Sequence, residues 1–145
     1  MEKKSVSPVN DLNLSVSFQF SAAHTYYIAK WDKEKNKQVF GKDCSMTPHG
    51  HNYKMIVTIR GNPDKNSGMV INFDKLEEII SNIVIHELDH KFLNEDVEYF
   101  KIHMPTTENI AIYVWNKLID SLDLFALHSV RIYEDESLYA EVVEY

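Results

Sequence analysis

Leu14-Ser15-Val16-Ser17-Phe18-Gln19-Phe20-Ser21-Ala22-Ala23-His24 alternates apolar and polar side chains, the pattern of a strand with one buried face. Leu14, Val16, Phe18 and Phe20 face one way, Ser15, Ser17 and Gln19 the other, and His24 closes the run. His49-Gly50-His51-Asn52-Tyr53 opens a second such run, from about Asn52 to Arg60, with Tyr53, Met55, Val57 and Ile59 against Lys54, Thr58 and Arg60. Residues two apart on extended backbone share a face, so His49 and His51 point the same way. Gly50 removes bulk on the opposite face and lets the backbone approach a neighbour. If the two strands pair, three imidazoles converge. Three neutral imidazoles with a fourth position open form the ligand set of a catalytic zinc site.

The remaining elements follow from periodicity and punctuation. Thr25 to Pro48 reads as a long polar excursion carrying Lys30, Lys33, Lys35, Lys37 and Lys42, either a solvated surface or a hold on an anionic substrate. Gly61-Asn62-Pro63-Asp64 and Asn66-Ser67-Gly68 mark turns. A helix is expected from Asp74, which has capping-box spacing to Glu77, with Phe73, Leu76, Ile79, Ile80 and Ile83 as its apolar stripe. A second begins at Thr106-Thr107-Glu108 and turns Ile110, Ala111, Val114 and Leu118 inward. Two final strands, Ser129 to Glu134 and Ser137 to Val143, bend at Asp135-Glu136. The expected fold is α+β: a four-stranded antiparallel sheet with two helices on one face. Residues 1–13 read as a lead-in and 14–145 as a single domain. Four strands leave two open edges, so assembly through those edges is expected.

Composition narrows the function classes. The chain has 145 residues, ordinary hydrophobic (44%) and charged (26%) fractions and a formal net charge of -7, which argues against a nucleic-acid-binding face. No apolar stretch reaches membrane-spanning length, and Met1-Glu2-Lys3-Lys4-Ser5 precedes no signal-type core. Cys44 is the only cysteine, which excludes an internal disulfide and suggests a reducing, cytoplasmic setting.

Other clusters carry chemistry of their own. His86-Glu87-Leu88-Asp89-His90 fits the H-E-x-x-H signature of zinc peptidases. Against it, the reading leaves His24, His49 and His51 without a purpose, and His103 lacks the spacing of a third ligand. The stripe through Leu76, Ile80 and Ile83 would also run on to Glu87, His90 and Lys91, so one unbroken helix is not expected. The neighbouring Asp89 and His90 can form a proton relay, because a carboxylate fixes an imidazole's tautomer and raises its basicity. Cys44, in a polar segment beside lysines, is a candidate base or nucleophile. Glu134 at a strand end could accept two parallel hydrogen bonds from an amidine-like ring edge, or be an exposed turn residue beside Asp135 and Glu136.

Taken in order, Phe20-Ser21-Ala22-Ala23-His24, Val39-Phe40-Gly41-Lys42, His49-Gly50-His51-Asn52-Tyr53, Leu88-Asp89-His90-Lys91, Thr106-Thr107-Glu108-Asn109 and Tyr133-Glu134 strongly resemble the 6-pyruvoyl-tetrahydropterin synthase family, from Leu14 to the C-terminus. That family includes the 6-carboxytetrahydropterin synthases of queuosine biosynthesis. The resemblance implies a tunnelling fold, in which subunits join their sheets into a barrel and two trimers stack as a homohexamer. It implies Zn2+ on His24, His49 and His51, and 7,8-dihydroneopterin triphosphate as substrate. Glu134 would anchor the pterin, with Thr106, Thr107 and Glu108 along its pocket, and Cys44, Asp89 and His90 would transfer protons. One departure stands out. Four residues, Ser45 to Pro48, separate Cys44 from His49, where pyruvoyl-type members usually have five and carboxy-type members three. The length from Val39 to Tyr53 is pyruvoyl-type and would put Asp43 at the cysteine's place, so Cys44 and Asp43 both stand as candidate bases. A pterin-binding relative without turnover is the reading from a different class.

Overall fold

The alternation that opens the chain builds the spine of the molecule. The structure, a computed structural model, describes residues 12–122 and 126–144; most of the expected lead-in lies outside them. β1 (Asn13–Tyr26) and β2 (Ser45–Arg60) form a long antiparallel pair in which Phe20 faces Tyr53, Ala22 faces His51 and His24 faces His49. β4 (Ala126–Asp135) pairs with β2, and β5 (Leu138–Val143) with β4, both antiparallel. Asp135 holds the β4–β5 turn, its Oδ1 accepting from the backbone N–H groups of Ser137 and Leu138.

The sheet is α+β as expected but has five strands, in the order β3-β1-β2-β4-β5. The extra strand, β3 (Lys91–Phe92), runs parallel to β1 at Ala22 and Ala23, so the sheet is mixed. Two residues carry no periodicity, which is why the sequence pattern gives no sign of it.

Helices cover one face of the sheet. Leu76, Ile80, Val84, Ile110, Val114 and Leu118 pack in one core with Tyr53, Met55, Val57, Val130 and Ile132, all of them fully buried. α5 (Thr107–Ser121) starts where expected: the Thr106 side chain accepts from the Asn109 N–H, and the four expected residues are buried.

The first long helix departs from expectation twice. α2 (Phe73–Ile80) is capped by the Asn72 side chain, which accepts from the Lys75 N–H, and not by an Asp74–Glu77 box. It also does not stop where its stripe was expected to fail, but runs through a π-turn (Ser81–Ile85) into α3 (His86–Leu88). A π-turn accommodates an extra residue per turn, and that unwinding keeps Leu76, Ile80, Val84 and Leu88 on the buried side. The break comes at Asp89, which is extended.

Nor is the lysine-rich segment an unstructured loop. It holds α1 (Lys33–Phe40), a 3-10 turn (Gly41–Asp43) and the first residues of β2. Asn36, fully buried, organises it: its Oδ1 accepts from the Ile28 N–H, and its Nδ2 donates to the carbonyls of Ile28 and Asp32. A short helix, α4 (Leu93–Asp96), follows β3. Among the described residues, no helix is long and apolar enough to cross a membrane.

Candidate metal centre and active site

The β1–β2 register places His24 directly across from His49, and the period of two brings His51 onto the same face. The register depends on close backbone approach, since a Cβ on Gly50 would lie 3.3 Å from the Ala22 carbonyl oxygen. The three ligand nitrogens lie within 4.8 Å of one another, the only cluster of at least three metal-ligating groups among the described residues.

The hydrogen bonds of the imidazoles suit a metal. His24 is fully buried, and its Nδ1 lies 2.8 Å from the Pro105 carbonyl oxygen. A carbonyl only accepts, so Nδ1 carries the proton and Nε2 is left as a lone pair pointing into the cluster. His49 Nε2 is 2.9 Å from it. His51 Nε2 lies 3.0 Å from Glu134 Oε1, but not in a direction that makes a hydrogen bond, and it is buried without a partner. Such an orphaned nitrogen is what a cation would satisfy.

Burial holds the His24 pKa below 6.5, reinforced by the neighbouring His49 and His51 and opposed by the Pro105 carbonyl. The folded chain therefore resists protonation of His24 more than the unfolded chain does. That contribution to stability is complete above pH 6.5 and is lost as the pH falls below it. In the metal-free protein the melting temperature should fall more steeply below pH 6.5 than it does when His24 is replaced by a group that does not titrate. Melting curves across that range, with His24→Gln as the flatter control, test this.

Glu134 lies on the same face as Val130 and Ile132, one step further along β4 toward the histidines. Its Oε2 accepts from Thr107 Oγ1 at 2.7 Å, at the first turn of α5. It is a half-buried carboxylate, not a free turn residue. Thr106 caps that helix, and Glu108 is exposed on its first turn.

Asp89 and His90 stand across Ser21. The Ser21 N–H donates to Asp89 Oδ1 at 2.9 Å and the His90 N–H to the Ser21 carbonyl, while Asp89 Oδ2 lies 3.0 Å from His90 Nδ1. The Ser21 N–H, more than His90, lowers the Asp89 pKa. His90 is the one described non-glycine residue with positive φ (61°), an uncommon conformation for a side chain this size. An open cavity of about 410 Å³ is lined by His90 and, of the three clustered histidines, by His51.

The chain matches the family model described as 6-pyruvoyl tetrahydropterin synthase over residues 13–144. The chain belongs to that family. It is 39% identical to the human 6-pyruvoyl tetrahydrobiopterin synthase over 86% of each chain. It is 33% identical to a putative 6-carboxy-5,6,7,8-tetrahydropterin synthase of Archaeoglobus fulgidus, over 91% of this chain and 96% of the relative. The Caenorhabditis elegans 6-pyruvoyl tetrahydropterin synthase structure superposes with a TM-score of 0.85 at 35% identity, covering 92% of this chain and 96% of that one.

Within this family member, the other sequence candidates fall in different places. His86, Glu87 and His90 do not form a metal site, because the helix ends between them at Leu88. Glu87 instead accepts from the Tyr113 hydroxyl and lies 3.4 Å from Lys117 Nζ. Cys44 is half-buried, its backbone bridged to Tyr26. Asp43 closes the 3-10 turn before it.

Sequence reasoning missed Tyr26. Its ring lies 4.6 Å from that of His24 and 6.1 Å from that of His49, and on its far side it stacks on Phe40 of α1 at 5.7 Å. Burial, then the charges of Glu134, Glu108 and Asp43, push its hydroxyl pKa well up. The signal was present: Tyr26 continues the inward alternation two residues past His24. Pro105, whose carbonyl fixes the His24 tautomer, carries no side-chain signal at all.

Proposed function

We propose that this protein is a zinc-dependent carbon–oxygen lyase that eliminates triphosphate from 7,8-dihydroneopterin triphosphate to give 6-pyruvoyl-tetrahydropterin. The observation that carries the reading is the convergence of the His24, His49 and His51 nitrogens beside a half-buried Glu134. Three histidines and no thiolate among the ligands suit zinc with one coordination position left for substrate. When bound there, zinc supplies Lewis acidity toward the side-chain hydroxyls and so acidifies the adjacent C–H.

The chain's own groups do the rest. Glu134, steadied by Thr107, accepts the ring's N–H pair, with Thr106 and Glu108 close by at the start of α5 as further contacts for the substrate. Cys44, as thiolate, removes the side-chain proton. The electron pair of the broken C–H bond moves into the side chain, and the C–O bond to triphosphate breaks with its electrons on the leaving group. The Asp89–His90 pair relays protons, and the ring gains the two hydrogens that the side chain loses, so no external oxidant or reductant is needed.

Assembly is part of the reading. From Asn13 to Ser21 the second edge of β1 has no partner strand among the described residues, and β5 pairs only with β4. Exposed Leu138 and Tyr139 lie on β5. Joining these edges between subunits would close a barrel, with two trimers forming a cytoplasmic homohexamer.

A second reading, 6-carboxytetrahydropterin synthase, is favoured by the intermediate spacing of Cys44 and by the similarity to the Archaeoglobus relative. Incubating zinc-loaded protein with dihydroneopterin triphosphate and weighing the products separates the two. A pyruvoyl product with released triphosphate is expected. A carboxy product supports the second reading, and no triphosphate release from metal-loaded protein would leave only pterin binding.

A further inference from the structure

α1 was expected as loop, and its folding gathers positive charge in one place. Lys33 and Lys37 are one helical turn apart on one face of α1, and Lys42 follows the helix end at Gly41. Together with Tyr27, Cys44 and Met46 they line a cavity of about 450 Å³. No carboxylate lines it. Among the described residues, none of these three lysines lies within 4.0 Å of a carboxylate oxygen, although the chain as a whole carries a net charge of -7.

Like charges four apart on a helix repel, so the arrangement costs stability that an anion would recover. Lys35, by contrast, is engaged elsewhere, its Nζ lying 4.3 Å from the centroid of the Trp31 ring. The cavity also has a fixed relation to the metal cluster. Tyr27 lies three residues beyond His24, roughly 10 Å along extended backbone, and Cys44 is bridged to Tyr26, which rests on the His24 ring.

We infer that this cavity, formed by Lys33, Lys37 and Lys42 beside Cys44, is the polyphosphate subsite. It holds the leaving triphosphate while the histidine cluster holds the other end of the side chain. The inference rests on the proposed substrate, and it adds where the anionic tail goes. It also gives Cys44 its place, between the histidine cluster and the phosphates, where the reacting C–H would lie. Mobile lysines suit the task, since ammonium groups neutralise a flexible polyanion without demanding one geometry.

The test uses the full-length, zinc-loaded protein and two probes, dihydroneopterin triphosphate and inorganic tripolyphosphate. These ion pairs exist in the ground state and persist as the bond breaks, so their loss should appear in KM and not in kcat. A charge-assisted contact is worth about tenfold in binding. Lys37→Gln should therefore raise KM about tenfold, and the Lys33→Gln/Lys37→Gln/Lys42→Gln variant at least about a hundredfold, while Lys35→Gln changes nothing. Tripolyphosphate should inhibit the parent competitively, less so at high salt, and the triple variant hardly at all. Unchanged KM and unchanged tripolyphosphate inhibition in the variants would overturn the subsite while leaving the lyase intact. If the parent proved inactive, lysine-dependent binding of tripolyphosphate by calorimetry would sustain the subsite, and lysine-independent binding would overturn it. If the triple variant fails to fold, Lys37→Gln alone decides.

Discussion

Alanine at His49 should empty the metal centre, and alanine at His86 should not. In the first variant, metal content after dialysis is expected to fall from one ion per chain to background, and pterin-forming activity to fall with it. In the second, both should stay at the parental level. The reason is geometric. The His49 nitrogen is one of three that converge within 4.8 Å, and without it the Nε2 of His24 and the orphaned Nε2 of His51 cannot hold an ion between them. Losing even an outer hydrogen-bond partner of a metal ligand costs roughly 10–100-fold in affinity, and losing a ligand costs more. His86 lies exposed on the last turn of α3, where the peptidase-like motif is broken by the helix end. Metal analysis of the two purified variants is sufficient. Retention by His49→Ala with loss from His86→Ala would reverse the assignment.

The convergence of the three histidines was legible in the sequence because strand geometry leaves little freedom. Once Leu14 to His24 is a strand with Phe20 inward, His24 is inward too, and HGH on an antiparallel neighbour must present both rings to the same face. α5 was legible for a related reason, with a capping threonine and an unbroken apolar stripe both announcing it.

What stayed hidden depends on interactions that leave no period. α1 buries an asparagine, and its fixed point is a set of hydrogen bonds from Asn36 to the backbone at residues 28 and 32. A hydrophobic pattern cannot report that. The π-turn at Ser81–Ile85 defeats extrapolation of a regular helix, which is why a stripe carried on from Leu76, Ile80 and Ile83 reaches Glu87 and misses the buried Val84 and Leu88. β3 exists because Asp89 and His90 are tied to the backbone of Ser21 from far along the chain, a tertiary contact that sets the parallel register at Ala22 and Ala23.

Removing the thiol of Cys44 should slow turnover by roughly 10²–10⁴, the usual cost of losing a general base, with zinc content and KM unchanged. Asp43→Asn should keep most of its rate. Both residues lie in the same short connection, and their surroundings differ. The Cys44 backbone is bridged to Tyr26, and its side chain lines the lysine cavity, so the thiol lies next to where the substrate's tail would pass. Asp43 is exposed on the 3-10 turn, and its charge is the smallest of the three carboxylate contributions holding the Tyr26 hydroxyl protonated. The decisive comparison is kcat for Cys44→Ala and Asp43→Asn at equal zinc loading. Cys44→Asp adds a second readout, because a carboxylate at that position should restore part of the rate and move the lower limb of the pH profile toward acid. A rate loss confined to Asp43→Asn would transfer the base to the carboxylate and make Cys44 a wall of the phosphate cavity.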